Sequence, residues 1–321
     1  MIILEGRGLV RHYRQGSRSI RAVDGVDLAV REHEALGLVG ESGSGKSTLL
    51  RLLLGLERPD SGELYFRGRI MNGRDGKQRN QFRREVQAVF QEAAASLNPR
   101  LTVKKIIAEP LQNLKPEFDS RRRLEEVNRI LLEMGMQHGD RRRYPHEFSG
   151  GQQRRIALAR ALVADPVLVL CDEATSGLDL SVQARLLNLL LDLRESRRAG
   201  FLFVTHDLAA VRYLCTRVAV IYGGQIIEEL PAAGLQEPLH PYTQALLAAE
   251  PSLFGAAAAP LLTGEPPDPA AFPPGCRFHP RCPVMMERCR EEKPRLTGVA
   301  PGWRVACFRV NGSCSTGKGQ E

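Results

Sequence analysis

A chain of 321 residues, 43 % hydrophobic and 26 % charged, has enough apolar material for one large domain with an appendage or for two modest domains. Its 45 Lys and Arg against 37 Asp and Glu leave a net charge of +8, which suits a nucleotide, a nucleic acid or an anionic membrane face without choosing among them. No stretch approaches the ~20 apolar residues of a membrane span, Arg7, Arg11, Arg14 and Arg18 interrupt what would be a secretory signal, and seven cysteines make an odd number. The expectation is a soluble or peripherally attached chain on the synthesis side of the membrane, without a disulfide framework.

In chain order, residues 34–40 (EALGLVG) read as a buried strand, a glycine-rich turn follows, and 46–57 (KSTLLRLLLGLE) read as a helix. Residues 58–68 (RPDSGELYFRG) predict a turn and then an alternating strand, and 85–91 (EVQAVFQ) predict another. From about 100 to 165 the period becomes helical, with apolar residues every three or four positions in 101–114, 121–136 and 152–164. Strands return at 167–173 (VLVLCDE), 200–206 (GFLFVTH) and 217–224 (RVAVIYGG), with a helix over 181–196 between the first two. Short apolar strands separated by helices imply an α/β fold with a mainly parallel sheet covered on both faces. Residues 251–275 are rich in Pro, Ala and Gly and read as a linker or extended wrap, and 311–321 as a frayed end.

Residues 40–48, GESGSGKST, place Gly40, Gly45, Lys46 and Ser47 at the spacing of a phosphate-binding loop, between a predicted strand and a predicted helix. The glycines let the backbone curl so that N–H groups from Ser42, Gly43, Ser44 and on to Thr48 point at phosphate oxygens, and the helix N-terminus adds partial positive charge. Lys46 is expected to reach the β- and γ-phosphates, and the Ser47 hydroxyl to ligate Mg²⁺. In VLVLCDEATSGLD (167–179), the strand ends in Asp172, suited to Mg²⁺ through a water, and Glu173, placed to polarise an attacking water as general base. An Asp–Glu pair at a strand end is by itself common surface chemistry, and a lone histidine there is more often structural. The phosphate loop upstream gives the pair its weight, and His206, in VTHD after the next strand, is then a candidate contact for the γ-phosphate and the water.

Residues 148–162, FSGGQQRRIALARAL, set Ser149, Gly150, Gly151 and Gln152 directly before an amphipathic helix. This second anion-receiving helix start lacks a lysine of its own, which makes sense if it meets the nucleotide of another subunit. Phosphate loop, Gln91, SGGQ, CDE, SGLD and TH stand in the order found in nucleotide-binding subunits of ABC transporters, which the chain resembles over roughly residues 1–235. The resemblance implies an ABC nucleotide-binding domain: a mainly parallel P-loop sheet core, an antiparallel β part and a helical insertion, about 92–148, that touches membrane subunits. It implies two cassettes closing head to tail on two ATP molecules, each held by the phosphate loop of one subunit and the Ser149–Gln152 turn of the other. Tyr13 matches the aromatic that stacks on adenine, Gln91 the glutamine that senses Mg²⁺ and the attacking water, and Asp179 the residue that communicates across the dimer. The chain departs from the common pattern at Gly177, where alanine is usual, at Cys171, a usually aliphatic site, and at Glu92 and Ala93, where Asp-Pro is common. The last pair lies in the coupling segment and bears on partner specificity.

HPYTQALLAAEP (240–251), GCRFHPRCP (275–283) and VAC (305–307) resemble the C-terminal extension of the oligopeptide, dipeptide and nickel importer branch, so a second domain is expected over 236–321. The resemblance implies an ATPase at the cytoplasmic face of a bacterial inner membrane. Its implied partners are two transmembrane permease subunits, a second, non-identical ABC ATPase and an extracytoplasmic substrate-binding protein, with no nucleic acid. Peptide is the first cargo expected and nickel or another small solute the second, because cargo is chosen outside this subunit. Two other readings stay open: a non-transport ABC ATPase acting on ribosomes or DNA, against which stand the single cassette and the lack of a coiled-coil insertion, and a catalytically silent partner cassette. Cys276, Cys282, Cys289 and Cys307, with five, six and seventeen residues between them, suit Zn²⁺ or an iron–sulfur cluster and lack the two-residue gaps of zinc knuckles. Resemblance to related peptide importers favours a [4Fe–4S] cluster, with zinc and unligated thiols as the alternatives. Cys171, Cys215 and Cys314 fall outside the set, and His279 is expected to pack or hydrogen-bond rather than ligate.

Overall fold

The computed structural model of the chain describes residues 1–71, 75–197, 199–249 and 264–311. Most of the expected linker, Cys314 and nearly all of the expected frayed end lie outside the described residues. Two compact units are formed, one from Met1–Leu4, Val30–Ala35 and Tyr65–Val204, the other from Glu5–Ala29, Leu36–Leu64 and Thr205 onward.

The first unit is built on three parallel strands, Val86–Val89, Leu168–Asp172 and Gly200–Thr205, paired through Val86↔Leu168, Val89↔Cys171, Leu168↔Gly200 and Asp172↔Val204. Leu168, Val169, Leu170, Phe201 and Leu202 are fully buried, as unbroken apolar runs covered on both faces should be. Helices Val103–Leu114, Ser120–Glu133, Gly150–Leu162 and Leu180–Ser196 supply Ile107, Leu111, Val127, Ile130, Ile156, Leu162 and Leu190 to the core. Asp119 starts the second of these by accepting from the Arg122 N–H at 2.7 Å. Arg197 ties the bundle together, donating to both Glu133 oxygens at 2.6 Å and to the Leu162 carbonyl at 2.9 Å.

In the second unit Ala35–Val39 runs parallel to Arg217–Tyr222, through Leu36↔Arg217 to Val39↔Val220. The Gly223–Gly224 turn, with φ of 53° and 77°, then reverses the chain into the antiparallel strand Gln225–Pro231. The hairpin Thr297–Ala300 and Trp303–Val305 adds to that strand through Glu228↔Val305 and Glu229↔Arg304. The long strands Ile2–Gln15 and Arg18–Arg31, joined by a tight turn at Gly16, form the antiparallel part that the resemblance implies, next to Ser61–Phe66. Both parallel and antiparallel ladders are thus present, as expected. The first helix is shorter than predicted: it spans Lys46–Leu53 and stops before Gly55, whose φ is 63°. Phe278 packs edge to face on Tyr222 and Tyr242, which are tilted against each other, with centroids 4.5–5.5 Å apart, seating the C-terminal segment on the sheet.

Candidate nucleotide site

The phosphate loop leaves the buried strand Ala35–Val39 at Gly40, where a Cβ would sit 2.3 Å from the Ile221 carbonyl oxygen. It turns at Gly45, whose φ is 106° and whose Cβ would meet the Ala22 carbonyl at 2.2 Å. Both positions therefore require glycine. The Gly224 N–H donates to the Ser44 carbonyl at 2.8 Å, and the Leu49 N–H to the Gly45 carbonyl at 2.9 Å begins the helix. Lys46 is buried, with Nζ donating to the Gly40 carbonyl at 2.7 Å and the Glu41 carbonyl at 2.8 Å. Ser42, Gly43 and Ser47 are exposed and Thr48 is half-buried. A buried cation beside a helix start without a side-chain cap is the kind of arrangement that attracts anions. Also in this unit, His206 is exposed directly after its strand. Tyr13 is half-buried, donates its hydroxyl to the Glu57 carboxylate at 2.5 Å and has the Arg11 guanidinium 5.0 Å from its ring centre.

In the first unit, buried Asp172 ends its strand and Glu173 follows with φ of 45°. A left-handed glutamate costs on the order of 1 kcal/mol. Its N–H donates to the Val204 carbonyl at 2.8 Å, and its carbonyl accepts from the Ser176 N–H and hydroxyl at 3.1 and 3.0 Å. The Gln91 amide Nε2 donates to Glu173 Oε2 at 2.8 Å, so these two residues, far apart in sequence, are brought together. Sequence reasoning missed Arg154, which donates to the Ser176 carbonyl; burial holds its pKa below the usual arginine value, against the opposing pull of the Glu173 charge. Cys171 is buried, which pushes its thiol up to about 12, consistent with a packing role.

The Ser149–Gln152 turn closes on itself. Ser149 Oγ accepts from the Gln152 N–H at 3.4 Å, and Gln152 Oε1 accepts from the Ser149 N–H at 3.0 Å, a reciprocal capping box. Ser149, Gly150 and Gln152 are exposed, whereas Gly151 is buried with a hypothetical Cβ 2.5 Å from Val182 Cγ1. Asp179 caps Leu180–Ser196, accepting from the Val182 N–H at 3.0 Å and the Ser181 hydroxyl at 2.9 Å, and these bonds hold its carboxyl below the usual range. Gly177 has φ of 68°, so its departure from alanine matches a left-handed turn.

Cys276, Cys282, Cys289 and Cys307 are half-buried and line one small cavity of about 20 Å³, together with Phe278, Val284 and Met286. Burial, and then the neighbouring thiols, push Cys276 up to about 11. His279 Nδ1 lies 2.9 Å from the Cys276 carbonyl, the hydrogen-bonding role expected of it. Among the described residues no three His, Cys, Asp or Glu side chains gather to hold a metal ion.

The ABC transporter family profile matches residues 23–176, and the profile of the oligopeptide/dipeptide transporter C-terminal region matches 228–289. A di/tripeptide transport ATP-binding protein of Pseudomonas aeruginosa is 44 % identical over 96 % of this chain and 98 % of its own length. The chain belongs to the ATP-binding subunits of ABC transporters. It is an ATPase coupled to transport. The oligopeptide transport ATP-binding protein AppF of Bacillus subtilis is 44 % identical to this subunit over 90 % of the chain and 89 % of its own length. The dimeric post-hydrolysis structure of the ATP-binding cassette MJ0796, bound to ADP and Pi, shares the fold with a TM-score of 0.65 at 29 % identity, covering 72 % of this chain and 99 % of that one.

Proposed function

We propose that this subunit binds and hydrolyses ATP at the cytoplasmic face of the inner membrane and thereby drives the import of di- and oligopeptides. The cassette then occupies residues 1–235, with the helical insertion near 92–148 facing the permease, and the extension occupies 236–321. The loop N–H groups and Lys46 hold the β- and γ-phosphates, and Tyr13 stacks on adenine. Glu173, oriented by Gln91, takes the proton from the attacking water, and His206 contacts the γ-phosphate and that water. The exposed Ser149–Gln152 turn completes the site of a second, non-identical cassette, and Asp179 relays closure. Ser47, Gln91 and Asp172 offer the hard oxygen donors that suit Mg²⁺; with its amide nitrogen spent on Glu173, Gln91 presents a carbonyl oxygen. When bound, the ion neutralises phosphate charge. No helix among the described residues is long and apolar enough to cross a membrane, in keeping with peripheral attachment to two permease subunits fed by a substrate-binding protein.

For the cysteines, the reading is a [4Fe–4S] cluster held by Cys276, Cys282, Cys289 and Cys307, serving as a structural staple. Four cysteines lining one cavity, without the two-residue gaps of zinc knuckles, support a polynuclear group over a single Zn²⁺. Anaerobic purification followed by iron and acid-labile sulfide assays tests this, and zinc without iron overturns it.

The Gln91–Glu173 hydrogen bond is the single observation that carries the chemistry. Reconstitution with permease, partner cassette and binding protein should give ATP-dependent peptide uptake. Glu173→Gln should lower turnover by about 100-fold or more while trapping ATP-bound closed dimers. Unchanged turnover moves catalysis to the other cassette, and uptake of nickel without peptide overturns the cargo.

A further inference from the structure

Glu41 occupies a position that the phosphate-loop pattern leaves to any residue. All three of its polar groups are nonetheless engaged. Its N–H donates to the Tyr242 hydroxyl at 2.8 Å, and its carbonyl accepts from Lys46 Nζ at 2.8 Å. Its carboxylate receives a two-point grip from Arg281, Nη1 to Oε2 at 2.8 Å and Nη2 to Oε1 at 3.0 Å. Tyr242 and Arg281 come from the C-terminal extension. Tyr242 is fully buried and Arg281 is 9 % exposed. Arg281 Nη1 also lies 3.4 Å from the Tyr222 hydroxyl, and Tyr222 packs on Tyr242 with centroids 4.5 Å apart. A planar guanidinium gripping a carboxylate at two points fixes its orientation as well as its distance, which a lysine would not. The peptide unit whose oxygen holds the catalytic lysine is therefore braced on both sides by the far end of the chain.

We propose that the C-terminal extension is a working part of the nucleotide site: Arg281 and Tyr242 are positioning residues that hold Glu41, and through it Lys46 and the loop, in the shape that receives phosphate. The proposal rests on the reading of residues 40–48 as the nucleotide loop. It departs from the view of the extension as an independent appendage. Arg281 directly precedes Cys282, so the brace shares a segment with the cysteine cavity.

Titration of the full-length subunit with Mg²⁺ and a fluorescent ATP analogue tests it, with thermal unfolding recorded for each variant. Arg281→Met and Glu41→Gln should each weaken binding about tenfold, and the double variant no further, because both remove one linkage. Arg281→Lys should fall between, having kept the charge and lost the two-point geometry. Tyr242→Phe, which deletes one hydroxyl from a packed ring, should weaken binding about threefold and carries the test if Arg281→Met does not fold. Trp303→Phe is the structural control: it removes the indole N–H bonded to Glu228 at 2.9 Å in the same extension and should lower stability without changing affinity. Wild-type affinity in the Arg281, Glu41 and Tyr242 variants overturns the proposal, as do effects that multiply in the double variant or an equal loss in Trp303→Phe. Lys46→Ala separates this failure from a wrong site: if it too binds normally, the loop reading itself has failed.

Discussion

Two glycine-rich turns precede helices in this subunit, and the structure treats them differently. The phosphate loop is shaped by distant chain: Gly224 bonds Ser44, the Ala22 carbonyl crowds Gly45, and Tyr242 and Arg281 hold Glu41. The Ser149–Gln152 turn bonds its Ser149 and Gln152 N–H groups within four residues and leaves three of those residues exposed. One turn is preformed around a cation. The other is a capped helix start that carries no cation and faces solvent, which is the form expected of a surface that acts on a phosphate held elsewhere.

The largest effects that follow divide along this line. Lys46→Ala should abolish turnover and weaken nucleotide binding by the isolated subunit more than about tenfold, because the proposed site relies on that charge for the phosphates. Ser149→Arg should abolish turnover in the assembled transporter as completely, yet leave nucleotide affinity of the isolated subunit within about twofold. Equilibrium titration of the subunit, set beside ATPase assays of the complex, checks both. Loss of nucleotide binding by isolated Ser149→Arg would erase the distinction.

Glycine replacements probe the same contrast at the level of folding. Gly45→Ala forces a Cβ to 2.2 Å from the Ala22 carbonyl at a φ of 106°, and should cost about 3 kcal/mol or more in denaturant unfolding. Gly151→Ala drives a methyl to 2.5 Å from a Val182 side-chain carbon that can shift, so about 1–2 kcal/mol is expected. Gly150→Ala meets nothing within 4 Å and should be nearly neutral. An ordering in which Gly150→Ala is the most damaging would contradict the picture of a locally satisfied turn.

What was legible in the sequence was local. The run ALGLV, the spacing of Gly40, Gly45 and Lys46 and the Ser149–Gln152 signature each specify a short-range structure, and each lies where it was expected. Helix Gly76–Glu85 was missed because it buries only Phe82 and has no apolar period; its one signal was the Asp75 cap, accepting from the Lys77 N–H at 2.8 Å. In QIIEELP, hydropathy reads Glu228 and Glu229 as solvent-facing, yet both are buried. Glu228 accepts from the Leu239 N–H and Trp303, and Glu229 is paired with Arg217 and Arg304, partners that only the folded chain supplies. The cysteine spacing alone does not bring Cys276, Cys282, Cys289 and Cys307 together. Their gathering around one cavity depends on Gly275, whose left-handed φ of 69° lets the backbone pass where a Cβ would lie 2.4 Å from the Cys289 carbonyl.

The smallest expected effect concerns pH, and it belongs to the braced side of the comparison. His240 is buried, accepts from the Tyr242 N–H through Nδ1 at 3.0 Å, and so starts the helix Pro241–Ala248 that carries the brace. Burial pushes its pKa down to about 3. The unfolded chain takes up this proton near pH ~6.5, whereas the folded chain refuses it until far lower pH. Between those limits the unfolded state binds more protons, so the contribution of His240 is full above pH ~6.5 and is lost as pH falls, at no more than about 1.4 kcal/mol per unit. His240→Asn keeps a side-chain acceptor at the helix start and removes the titration. Urea unfolding at about pH 7.5 and about pH 5.5 should therefore show a smaller drop for His240→Asn than for the unsubstituted chain. Parallel losses would assign the acid sensitivity to other groups. A flattened profile, together with nucleotide affinity that no longer weakens toward about pH 5.5, would place the sensitivity in the extension that holds the phosphate loop, because the Ser149–Gln152 turn has no ionisable side chain of its own.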